Sequence, residues 1–248
     1  MKNKILMFVL LFGVASLLLI VINDQQMPNK TSTSNAFETP LSGHEIEKLI
    51  INEDDDTSFS LLIKDIPLYR SYLDAQTDRT AEIERTQYTV LASSKQTKYV
   101  LLQYSCGNKQ CSTILVKISN SNISSIALAN GIFQDFKVSL DKGRVLLRYG
   151  YNEGSQVVRH ILIAVDLEQL KVIPYQSDQM AKLYMLTPTW PLHEYHWIDN
   201  NQFIIKTPDL ISSEFESIKK WFSSSEQKTT DVSISLSKNN LLDSYPNT

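Results

Sequence analysis

Two histidines three positions apart, His193 and His196, flank a carboxylate in Trp190-Pro191-Leu192-His193-Glu194-Tyr195-His196-Trp197. Imidazole and carboxylate are zinc ligands. The helical zinc motif needs its histidines four apart, with the glutamate between them on one helix. Pro191 and the strand-type residues that follow argue against a helix here. On a strand, positions 193 and 196 face opposite sides. The expectation is therefore histidines hydrogen-bonded and packed between strands, with no metal and no other cofactor assigned. The same octapeptide holds Trp190, Tyr195 and Trp197, the densest aromatic group in the chain. Such rings suit a groove for a protein or saccharide, and equally the interior of a sheet. Trp190, His193, Tyr195, His196 and Trp197 form the candidate binding surface.

The cysteines, Cys106 and Cys111, lie in Tyr-Ser-Cys-Gly-Asn-Lys-Gln-Cys-Ser-Thr. Strand-like flanks on both sides and the Gly107-Asn108 turn place them at the mouth of a hairpin. In an oxidising compartment such a pair reads as a disulfide. The spacing is not that of a redox Cys-x-x-Cys, and no further cysteine could complete a zinc site.

The carboxylates give less. Glu53-Asp54-Asp55-Asp56 lacks the alternation and glycine of a calcium loop and reads as a solvated turn. Asp141, Asp166 and Asp199 fall at strand ends, where side-chain bonds to nearby amides build turns. No Gly-x-Ser-x-Gly occurs, and seven glycines in 248 residues leave no phosphate-cradling loop. A glycosidase pair would meet only in three dimensions. No catalytic residue is assigned.

Compartment follows from the first 24 residues. Lys2 and Lys4 precede an uninterrupted apolar run from Ile5 to Ile22. Its eighteen residues span about 27 Å as a helix, close to a bilayer's hydrocarbon thickness. The lysines mark the cytoplasmic end, which places the remainder outside. The run exits through Val-Ile-Asn-Asp-Gln-Gln without the small-residue pattern of a cleavage site, which favours an uncleaved signal anchor over a cleaved signal peptide. Without the two lysines the chain carries 22 basic and 27 acidic residues, with no basic cluster to track a nucleic-acid backbone. Residues 25–43 are polar and read as a flexible linker, 44–237 as an extracytoplasmic β-rich domain, and 238–248 as a C-terminal tail in which Leu241, Leu242 and Tyr245 could dock.

Within the domain, short β-type runs follow one another closely: 58–64, 87–92, 98–105, 112–119, 123–128, 136–140, 144–151, 157–167, 171–175, 195–199, 202–207 and 231–236. Two segments read as helices. Pro67–Ala75 sets Leu68, Tyr72 and Leu73 on one side, and a helix opening at Ser212 or Ser213 spaces Phe215, Ile218 and Phe222 helically. This is an all-β pattern, antiparallel, with one or two peripheral helices and one N-terminal transmembrane helix.

The runs repeat. Val100-Leu101-Leu102-Gln103-Tyr104 recurs as Val145-Leu146-Leu147-Arg148-Tyr149, and Ile114-Leu115-Val116-Lys117-Ile118 as Ile161-Leu162-Ile163-Ala164-Val165. Tyr88-Thr89-Val90 matches Phe136-Lys137-Val138. Residues 198–206 match 140–148 without a gap, with a next strand at 232–236 after the inserted helix. The unit is a four-stranded meander of about 45 residues. Val138-Ser139-Leu140-Asp141-Lys142-Gly143-Arg144-Val145-Leu146-Leu147, followed by the apolar run ending in Asp166-Leu167, resembles one blade of a WD40-like or TolB-like β-propeller. The chain departs from that family in its low glycine, the inserted helix and the lack of a Trp-Asp signature. The resemblance implies the blades of a β-propeller, of which three units are visible where closure takes at least four, and an open β-sheet domain fits the same runs. The functional expectation is a non-enzymatic domain that meets a protein or envelope component through its loops. An envelope hydrolase with carboxylates on blade loops, or a sensor acting through a membrane partner, is the alternative.

Overall fold

The computed structural model describes residues 32–33, 47–53, 57–94, 96–120 and 122–246. The apolar run 5–22, most of the 25–43 stretch and Asp54–Asp56 lie outside them. Among the described residues no helix is long and apolar enough to cross a membrane.

The protein is mostly β, in four antiparallel sheets. A two-stranded sheet pairs β2 (Lys48–Asn52) with β3 (Ser58–Leu62). In the next sheet, β4 (Gln87–Ser93), β5 (Thr97–Tyr104), β6 (Ser112–Ser119) and β7 (Asn122–Ala127) lie in chain order. The short strand β1 (Ser32–Thr33) is added on the free edge of β4, inside the stretch read as linker. A four-stranded sheet follows from β8 (Ile132–Val138), β9 (Arg144–Glu153), β10 (Val157–Asp166) and β11 (Lys171–Ile173). The last sheet is β12 (Glu194–Trp197), β13 (Gln202–Pro208) and β14 (Thr229–Ser235).

Two cores explain why the central strands read as apolar runs rather than alternations. Val100, Leu102, Ile114 and Val116 face one core, shared with Leu49, Ile51, Leu61 and the residues of two helices. Leu101 and Leu115, between them in sequence, face the other. Alternation persists, but both destinations are apolar because the sheet is covered on both faces. The second core also takes Val145–Leu147, Ile161–Val165 and the inner face of the last sheet. The sheets thus stack in chain order, and the first hairpin and the last sheet lie in different cores.

The helices are α1 (Pro67–Asp74), α2 (Arg79–Arg85), α3 (Asp178–Ala181) and α4 (Phe215–Phe222). Pro67 opens α1 with a φ already suited to a helix. Its buried pair is Tyr69 and Leu73, four apart, while Leu68, expected on that side, is exposed. In α4 the buried residues are Ile218 and Trp221, with Phe215 and Phe222 only half-buried. Asp78 caps α2, accepting from the Ala81 amide at 3.0 Å. Neither α2 nor α3, which runs into a single π turn at Lys182–Leu186, was marked by the apolar spacing; each buries one residue.

The internal repeat falls on corresponding strands. Val90 pairs with Val100 and Val138 with Val145, so the first hairpin of each four-stranded unit keeps one register. The second hairpin does not. Val100 faces Val116, whereas Val145 faces Val165, two residues beyond the sequence match. A two-residue shift preserves which face each side chain occupies, so the cores tolerate it. In the last unit Trp197 faces Phe203, because that turn is one residue shorter. The tail docks as well. Leu242 bridges to Val172, and Tyr245 is buried with its hydroxyl donating to the Met185 carbonyl at 2.7 Å.

Cys106 and Cys111 are bonded to each other across the loop between β5 and β6. Cys111 and Gly131 exchange backbone hydrogen bonds of 3.0 Å each, which ties that loop to the start of β8. Loop closure this short contributes about 2 kcal/mol. Replacing both cysteines with serine is expected to lower stability by that amount and to leave strand pairing intact. Urea unfolding of the two proteins measures it, and a loss above about 4 kcal/mol would mean that more than one hairpin depends on the bridge.

Candidate functional site

The aromatic segment is built from the edge of the four-stranded sheet outward. β8 carries a bulge between Phe133 and Asp135. A bulge re-aims the side chains beside it. Here Asp135 is turned toward Arg148 on β9, whose guanidinium engages both carboxylate oxygens, through Nε to Oδ1 at 3.1 Å and Nη2 to Oδ2. The Tyr195 hydroxyl donates to the same Oδ1 at 2.6 Å. Arg148 Nη1 continues to the Leu192 carbonyl at 2.9 Å. Its guanidinium lies 5.3 Å from the Tyr195 ring centroid, and the Lys137 ammonium lies 5.0 Å from it. Burial first, then the Asp135 charge and its hydrogen bond, push the Tyr195 phenol well above its ordinary range. Tyr195 therefore stays neutral and acts as a donor.

His160 on β10 supplies the second hold. Its backbone amide donates to the Trp190 carbonyl at 2.9 Å, and its Nδ1 accepts from the Leu192 amide at 2.9 Å. Acceptance at Nδ1 assigns the neutral tautomer with the proton on Nε2. Burial, helped by the nearby Arg148 cation, pushes the imidazole pKa down to about 3. Arg159 makes the third hold, reaching the carbonyls of Thr189 and Ser213.

These groups converge on the segment, but their capacity is spent on backbone and on one another. Asp135 has its oxygens in a bidentate pair and a tyrosine bond, so it is no free general base. His160 has its acceptor nitrogen occupied. What results is a clasp that fixes residues 189–195 against the sheet.

Of the predicted surface, Tyr195 is buried, and Trp190 and Trp197 are half-buried. The Trp197 indole donates to the Lys137 carbonyl at 2.9 Å, and its ring meets Phe203 edge-on at 5.8 Å. His193 and His196 are both exposed, which corrects the expectation that they pack between strands. The reason is register. His193 precedes β12, and on that strand Glu194 and His196 share the outer face while Tyr195 and Trp197 point inward. Lys206, opposite Glu194 on β13, pairs with it at 3.1 Å and holds its carboxyl below the usual carboxylate range. Among the described residues, no group of three or more His, Cys, Asp or Glu is arranged to hold a metal.

Asp135, Arg148, His160 and Arg159 were not singled out from sequence. The repeat held one signal: Gln103, Arg148 and Lys206 occupy the matching position in three strands, each a polar residue inside an apolar run. Asp135 had none, since the bulge breaks the alternation that would have extended β8 back to it. The turn aspartates behave as expected. Asp141 Oδ1 accepts from the Ser139 hydroxyl at 2.7 Å and the Gly143 amide at 2.9 Å. Asp166 accepts from the Gln169 amide, and Asp199 from the amides of Asn201 and Gln202.

Comparison with known proteins places no relative beside this arrangement: no family model, no curated protein and no solved structure matches the chain.

Proposed function

We propose that the chain is a membrane-anchored extracytoplasmic binding domain of the cell envelope, built from propeller-like blades that stack without closing. Residues 5–22 serve as its anchor, and a protein or envelope component is its partner. The observation that carries the binding reading is the division of labour in the aromatic segment. Its polar interior, Asp135, Arg148 and His160, is consumed in holding backbone and one another, while Glu194 and His196 stand exposed on the outer face of the last sheet and His193 is exposed just before it. A rigid strand with solvated side chains presents a fixed pattern to a partner at little ordering cost. The paired cysteines support an oxidising compartment.

Two measurements on the full chain test this. Fractionated bacterial envelopes should hold it uncleaved and open to protease from outside. A soluble product lacking residues 1–24 would overturn the anchor. A photo-crosslinking residue at position 196 should yield one discrete adduct in whole cells, and the same probe at buried position 195 should yield none. Equal labelling at both would remove the outer face of β12 from the interface.

A further inference from the structure

The first turn of every sheet lies at one end of the stack. Lys98, beside the β4–β5 turn, pairs with Glu53 of the β2–β3 turn. Tyr99 donates to the Leu167 carbonyl at 2.8 Å, and the Leu167 amide donates to Gly143 in the β8–β9 turn at 2.9 Å. The Asp141 amide donates to Asn200 Oδ1 at 3.2 Å, and Arg144 reaches Asn200 and Asn201 in the β12–β13 turn. Four turns are therefore bound side by side.

Two large apolar side chains stand at this end. Leu140 is 74 % exposed and Ile198 45 % exposed. They occupy the same position in adjacent repeats, each directly before the aspartate that closes its turn. Because Asp141 and Asp199 lock those turns with bonds to hydroxyl and amide groups, the side chains are held outward by rigid backbone.

The chain also arrives from this end. β1 is antiparallel to β4, with Ser32 opposite Tyr88 and Thr33 opposite Gln87. The N-terminal end of β1 is therefore directed toward the β4–β5 turn. Tyr88 lies five residues from the end of β4, roughly 17 Å along the strand. Nine residues separate Ile22 from Ser32, a reach of at most about 30 Å. Nine residues can therefore place the apolar run no more than about 15 Å beyond the β4–β5 turn.

We propose that this end of the stack is a lipid-contacting face, with Leu140 and Ile198 seated in the interfacial layer of the bilayer. The inference rests on the anchor reading above. Charge does not drive the contact: Asp141 and Asp199 balance Lys142 and Arg144 at these two tips, and the acidic run Glu53-Asp54-Asp55-Asp56 between β2 and β3 disfavours an anionic surface. Two apolar side chains would hold a free protein only weakly. A tether this short makes the encounter intramolecular and raises the effective concentration of the bilayer at the turns.

The test places a tryptophan at each end of the full chain in vesicles of phosphatidylethanolamine and phosphatidylglycerol with brominated acyl chains. Leu140→Trp and Ile198→Trp should raise the quenchable emission about twofold over the wild-type background. Ile211→Trp, at a fully exposed position beyond the opposite end of β13, should not. Flotation is scored on the same samples. If the protein floats with the vesicles and neither turn variant is quenched, the lipid-contacting face is overturned and the anchor stands. If Ile211→Trp alone is quenched, the orientation is inverted and the proposal fails. If the protein does not float, the anchor reading fails and takes the proposal with it.

Discussion

Between about pH 6.5 and pH 5 the folded protein is expected to lose roughly 2 kcal/mol of stability through His160. Its imidazole is neutral in the fold, held down to about pKa 3 by burial and by Arg148. In the unfolded chain it takes up a proton near pH 6.5, the ordinary histidine value. The unfolded state thus binds more protons than the folded one throughout this window. Stability is complete above about pH 6.5 and falls by about 1.4 kcal/mol per unit as the pH drops toward 3. Carboxylates titrate below most of that range, which leaves the upper part to histidine. His160→Asn offers its side-chain oxygen near the place of Nδ1 and keeps an acceptor for the Leu192 amide. Urea unfolding at pH 7 and pH 5 should show the loss in the parent and a nearly flat profile in the variant. A variant that retains the slope would mean that His160 is not the buried neutral base described here.

The second large effect belongs to Phe203. It is fully buried on β13 and lies edge-on to Tyr175 at 5.5 Å and to Trp197 at 5.8 Å. Phe203 and Tyr175 share the core between the last two sheets, so truncation opens a cavity at their junction. Phe203→Ala is expected to cost about 3–5 kcal/mol, in contrast to Leu140→Ala, which should stay within about 0.5 kcal/mol. Equilibrium unfolding compares them directly. A loss below about 1 kcal/mol for Phe203→Ala would mean that the last sheet is not packed on its neighbour.

How much of this was legible follows from where periodicity survives. Twelve strand runs were visible because each apolar face has a buried destination, and their order gives the four-stranded meanders directly. Strand β8 was caught only from Phe136 onward, since the bulge at Phe133 to Asp135 shifts the alternation. That loss removed Asp135 from view, and with it the reason for Arg148. The octapeptide 190–197 was found for its composition, but its inside and outside were set by a register that the residues alone do not state. His193 and His196 sit among Leu192, Tyr195 and Trp197 in sequence, so their neighbours do not mark them as exposed. The disulfide was legible because two cysteines astride a turn have one another as partners. The short helices α2 and α3 were not, since one buried residue makes no period.

The docked tail guards a sheet edge. Tyr245 fastens to Ala127 and Met185, and Leu242 closes the outer edge of β11. Stripped of these contacts, β11 would present an unpaired edge that invites wrong partners. The segment after β14 thus acts as a latch that keeps the four-stranded sheet from recruiting a foreign strand.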